Sequence, residues 1–191
     1  PADPRLEAGL HRLGEEGSVD GGVATRPGQP PSSCLTARLA QAMAALGWCR
    51  QLAFRERLAW LAEGADRAPG GGWACGDPTH ALAPGRGCAV TAVAVLQALA
   101  ACDGEEPPGL RRRAVAAVTG DLASPPDRRL RPGHPNLLRT DPVEMLASLA
   151  LADVPWDERL QPALRSVQEA QDADARWRRR VPWIVIGLIV L

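Results

Sequence analysis

The chain has 191 residues, 46 % of them hydrophobic, which is enough to bury a sizeable core and too many for a disordered segment. Arginine supplies all 22 positive charges, lysine is absent and 22 acidic residues balance them, so no net field recruits nucleic acid or an anionic membrane. Five cysteines (Cys34, Cys49, Cys75, Cys88, Cys102) make an odd set without C-x-x-C spacing, and the start shows no charged-then-apolar segment, which together point to a reduced, cytoplasmic setting.

The first element in chain order is an outer, half-wet helix in which Leu10 and Leu13 flank a surface His11. A turn follows at Asp20-Gly21-Gly22-Val23, then a run apolar nearly all round, Leu35 to Leu46, entered through Ser32-Ser33. Such a helix must be buried. Next comes an amphipathic helix with Phe54, Leu58 and Leu61 on its stripe, a second turn at Gly70-Gly71-Gly72-Trp73, and a second all-apolar run, Ala89 to Ala101. The sequence then repeats the alternation: Leu110, Ala114 and Val118 on a stripe, a loop around Ser124 to Gly133, an apolar helix from Val143 to Ala152 entered through Thr140-Asp141-Pro142, and a stripe of Leu160, Ala163, Leu164 and Val167. A third turn, Gln171 to Trp177, leads into Trp183 to Leu191, nine apolar residues where a membrane span needs about twenty, and so a core helix cut short.

The last positions of the three turns, Val23, Trp73 and Trp177, are 50 and 104 residues apart, a period of about fifty with one degenerate copy. Buried helices alternating with amphipathic ones describe two layers, inner and outer, and the fold class expected is all-α, an α/α toroid or an arc of one. A straight solenoid of helix pairs is the alternative, and it would make both helices of each pair amphipathic. Nothing in the turns or runs suggests strands.

Gln171 to Trp177 fits Q-x-x-D-G-x-W with Ala175 in the glycine place, and this pattern resembles the repeat signature of squalene and oxidosqualene cyclases. Cys34-Leu35-Thr36-Ala37, Gly71-Gly72-Trp73-Ala74-Cys75 and Asp141-Pro142-Val143-Glu144-Met145-Leu146 are similar to segments of bacterial prenyltransferase and squalene-oxidase-repeat proteins. The resemblance covers most of residues 5 to 191 and implies a single α/α-toroid-like repeat domain over 1–191, incomplete at both ends, since its length is under four periods. It implies that the turn glutamine and tryptophan are structural. It also implies an apolar ligand of isoprenoid type in a central cavity, with peripheral membrane contact.

Two constellations are candidates for chemistry. Class II terpene cyclases present a proton donor as D-x-D-D at the start of an inner helix, and the matching stretch is Arg139-Thr140-Asp141-Pro142, where only Asp141 coincides with a motif aspartate. Glu144 lies three residues on, so Asp141 and Glu144 share a helix face as a candidate acid pair; the alternative is a helix cap and a favourable charge near the helix N-terminus. Cys75 and His80, with Cys88 and the repeat-related Cys34, would supply thiolate and imidazole ligands for tetrahedral zinc, while the alternative is buried, inert cysteines. Cys49 and Cys102, near inner-helix C-termini, read as core or surface thiols, and His134 reads as a turn residue. The arginine clusters at 111–113, 128–131 and 176–180 read as solvated helix ends, or else as an anion clamp. With no Tyr and one Phe, the chain lacks the aromatic lining that stabilises carbocations. Three functions therefore stand: a prenyltransferase-like or cyclase-like enzyme without an intact D-x-D-D, a non-catalytic helical-repeat scaffold, and a zinc-binding toroid.

Overall fold

The computed structural model describes residues 4–16, 18–26, 28–65, 72–74, 87–102, 104, 106–123 and 140–173. Its helices are α1 (Pro4–Glu16), α2 (Ser33–Ala45), α3 (Leu52–Ala65), α4 (Ala89–Ala100), α5 (Leu110–Leu122), α6 (Pro142–Leu151) and α7 (Gln161–Ala173), the last preceded by a 3-10 turn, Glu158–Leu160. The fold class is all-α. None of the helices among the described residues is long and apolar enough to cross a membrane.

The layering follows from the residue patterns. The α4 run AVTAVAVLQALA has no polar face to offer water, and the fold buries every residue of it except Gln97 and Ala100, which are half-buried. Fully burying each of Val93, Val95, Leu96 and Leu99 is favourable by roughly 1.5–3 kcal/mol. The burial comes from contacts with α2, α5 and α6, which surround α4. α3 and α5 touch each other and present Phe54, Leu58 and Leu61, and Leu110, Ala114 and Val118, to the core while their other faces stay wet. Each amphipathic helix packs on the apolar helix before it, α3 on α2, α5 on α4 and α7 on α6, so the chain weaves between an inner and an outer layer. α6 departs from the all-round burial expected of an inner helix: Pro142, Met145, Ser148 and Leu149 make one buried stripe, and Ala150 and Leu151 are exposed.

The same backbone connection is made twice where an outer segment hands over to an inner helix. Ser32 N donates to the Val23 carbonyl and Cys88 N to the Trp73 carbonyl, each at 2.8 Å. The first connection carries a feature the sequence reading missed, a two-residue antiparallel ladder of β1 (Ser18–Val19) and β2 (Gly22–Val23). Asp20 and Gly21, at φ 50° and 89°, form the turn between them; positive φ at both central positions is what Asp-Gly favours and what a tight hairpin needs. In the second connection Trp73 is 1 % exposed, and its Nε1 donates to the Leu61 carbonyl at 2.7 Å, pinning the turn to the end of α3. There Gly72 and Gly87 cross so closely that a Cβ on Gly72 would lie 2.8 Å from the Gly87 Cα, and one on Gly87 2.9 Å from the Gly72 Cα.

The arginines at 111–113 are not merely solvated. Arg113 Nη1 donates to the Ala62 carbonyl at 2.7 Å, satisfying an orphan acceptor in the last turn of α3, and Arg111 pairs with Glu106 at 2.9 Å. The other two arginine clusters lie outside the described residues, as do His134, Trp177 and the apolar run 183–191. Arg57 of α3 is buried; its Nη1 donates to the Ala53 carbonyl at 2.5 Å, and desolvation pulls its pKa down against the opposing pull of Glu56.

Candidate functional site

The chemistry-bearing side chains of the inner layer fall into two groups, one at the α2–α4 helix starts and one along the half-buried edge of α2, α4 and α6. The second begins at Asp141. This residue has extended backbone, Pro142 fills the first helical position, and Asp141 Oδ1 accepts from Glu144 N at 2.8 Å. A carboxylate so placed satisfies one of the unpaired N–H groups of the first turn and sits at the positive end of the helix dipole. Asp141 is therefore a helix N-cap, the reading the residue pattern offered beside the catalytic one.

Glu144 turns away from Asp141. Its Oε1 lies 3.2 Å from Arg38 Nη1, both side chains about 30 % exposed, at 30 % and 28 % respectively. Arg38 Nη1 also donates to Gln41 Oε1 at 3.0 Å, and Gln41 Nε2 donates to Gln97 Oε1. Glu144, Arg38, Gln41 and Gln97 thus form one row that starts on α6, crosses α2 and ends on α4. A half-exposed ion pair of this kind contributes about 0–1 kcal/mol to stability, so the row matters more as a set of donors and acceptors than as a brace. A guanidinium and two amides neither donate protons readily nor attack as nucleophiles. They can hold a polar or anionic group.

The other group is a pair of thiols. Cys34 Sγ and Cys88 Sγ are 3.0 Å apart, Cys34 in the first turn of α2 and Cys88 at the N-cap of α4, and Thr91 Oγ1 donates to Cys34 Sγ at 3.4 Å. Next to them Ser33 Oγ donates to the Ala74 carbonyl at 3.1 Å. The fold therefore brings together two of the four expected metal ligands, while Cys75 and His80 lie outside the described residues. Among the described residues there is no group of three metal-ligating side chains.

Cys49 and Cys102 depart from expectation. They are joined in a disulfide, with Cα atoms 5.7 Å apart, just beyond the C-termini of α2 and α4. The two helix ends bring the residues side by side, and the sequence separations of the two cysteine pairs, 53 and 54, match because both follow the spacing of α2 and α4. His11 is exposed on α1, as expected, with its ring centroid 4.8 Å from that of Trp48 and the two planes tilted by 38°.

Sequence reasoning missed Arg38, Gln41 and Gln97. The signal was present: Gln97 is the sole long polar side chain in an otherwise apolar helix, and Arg38 and Gln41 are three apart on α2. A search for family models, curated proteins and solved structures finds none that matches this chain.

Proposed function

We propose that this chain is an arc of an α/α toroid serving as a non-catalytic binding scaffold, with a toroidal ancestry shared with terpene cyclases and prenyltransferases. The observation that carries the reading is the engagement of both candidate acids, Asp141 in capping α6 and Glu144 in pairing with Arg38. A proton donor for an alkene needs a carboxyl aimed at substrate. These two are turned to the backbone and to a guanidinium. The occupant is an amphiphile of isoprenoid type whose polar head meets Arg38 and Gln41, with half-buried Leu35 and Leu146 supplying apolar surface on α2 and α6.

The test combines product analysis with calorimetric titration, using farnesyl diphosphate and farnesol as probes. The scaffold reading expects saturable binding that weakens at least tenfold in Arg38→Ala, no product, and unchanged binding in Asp141→Asn. Turnover that disappears in Asp141→Asn would establish the enzyme reading instead, and failure of both probes to bind would remove the isoprenoid as occupant.

The Cys49–Cys102 disulfide weighs against the reduced setting inferred from the odd cysteine count, because disulfides persist in oxidising compartments. We place the working environment of the chain there.

A further inference from the structure

We propose that Cys34 and Cys88 are a second, redox-convertible pair, which closes to a disulfide and staples the N-terminal ends of α2 and α4 as Cys49–Cys102 staples their C-terminal ends. Three observations converge on this. The sulfurs are 3.0 Å apart, inside the roughly 3.5–4.0 Å at which even carbon atoms rest in contact, so bond formation needs a movement of about one ångström. The sequence separation of 54 matches the 53 of the existing disulfide, so the helix spacing that permits one link permits the other. Both residues belong to the buried core between the two helices, Cys88 at 2 % and Cys34 at 9 % exposure, where a neutral cystine is less costly than a thiolate.

Zinc thiolates fit this spacing less well. Two sulfurs with bonds of about 2.3 Å at a tetrahedral angle stand about 3.8 Å apart. Thr91, donating to Cys34 Sγ, stabilises the attacking thiolate when it forms.

The oxidant is a small disulfide of the glutathione class. Cys34 loses its proton and attacks one sulfur of glutathione disulfide, releasing one glutathione thiolate and leaving a mixed disulfide. Cys88, deprotonated in turn, attacks the Cys34 sulfur, the mixed S–S bond breaks, and the second glutathione leaves. In the net reaction two protein thiols are oxidised and one glutathione disulfide is reduced to two glutathione thiols. Burial makes this slow, since the first step waits on local opening between α2 and α4.

The full-length chain is incubated at defined ratios of reduced to oxidised glutathione, trapped with iodoacetamide, digested without reductant and mapped by mass spectrometry. A cross-linked peptide joining Cys34 to Cys88 is expected, its fraction rising with the oxidised share, and the same peptide is expected from the Cys49→Ser, Cys102→Ser double variant. In the wild-type chain its formation raises the melting temperature by several degrees. Full alkylation of Cys34 and Cys88 at every ratio overturns the proposal, as does a link from either of them to Cys75. So does one zinc per chain that protects both thiols from alkylation. Because the overturning outcomes are all read on the wild-type chain, none of them depends on a variant that folds.

Discussion

Replacing Cys49 and Cys102 together by serine removes the link that ties the C-terminal ends of α2 and α4. The bond closes a loop with a sequence separation of 53 residues. In the chain-entropy treatment, a loop of that length restricts the unfolded chain by about 14 cal/mol/K, or about 4 kcal/mol at 25 °C, inside the 2–5 kcal/mol usual for native disulfides. Serine is smaller and polar, but Cys49 is only half-buried and Cys102 likewise, so desolvation adds little to the loss. For a chain of this size each kcal/mol moves the melting temperature by about 2–4 °C, which gives a drop of about 8–16 °C. Circular dichroism melting of wild type and double variant measures it, and reductant added to the wild-type chain should lower its midpoint by at least as much. A double variant that melts within about 2 °C of wild type would refute the reasoning, because the entropic constraint does not depend on details of packing.

Asp141→Ala removes the cap of α6 and is expected to destabilise the chain by about 1 kcal/mol in urea unfolding, while Asp141→Asn, which still accepts from Glu144 N, is expected to be nearly neutral. Gly72→Ala and Gly87→Ala each force a methyl to within 3 Å of backbone on the other strand of the crossing, and each should cost about 1–3 kcal/mol by the same assay. Gly120→Ala, in the interior of α5 with nothing within 4 Å of the new Cβ, should instead stabilise by up to about 1 kcal/mol. The Asp157 carboxyl, at the N-cap of the 3-10 turn, is held below the ordinary aspartate range first by the Arg159 side chain and then by the Arg159 backbone N–H. Its contribution is therefore complete above about pH 4 and lost as pH falls through the lowered folded pKa, which carboxyl-resolved NMR titration would show as an upfield shift of the Asp157 carboxyl carbon on acidification, with its midpoint below the ordinary aspartate range.

How much of this was legible in the sequence depended on whether the deciding interaction was local or distant. α4 was readable because an apolar run of that length has one stable fate, and Trp73 was flagged by its place fifty residues after Val23, both residues accepting a backbone bond from the entry to the next helix. The β1–β2 ladder was missed although Asp20-Gly21 is a strong hairpin signal, because two residues on either side are too few to show alternation. The fate of the cysteines was hidden for a different reason. Judged singly, Cys49 and Cys102 look like incidental thiols; judged against the spacing of α2 and α4, they fall on equivalent positions, and so do Cys34 and Cys88. Helices that pack side by side bring residues at matching heights together, so side chains separated by the α2-to-α4 spacing are candidates for direct contact. The Arg38–Glu144 pair, 106 residues apart, joins α2 to α6 in the same way. Chemistry in such a fold is best sought by laying each apolar helix beside its neighbours before any residue is judged alone, because both sulfur pairs join the ends of α2 and α4 and the polar row reaches from α6 across α2 to α4.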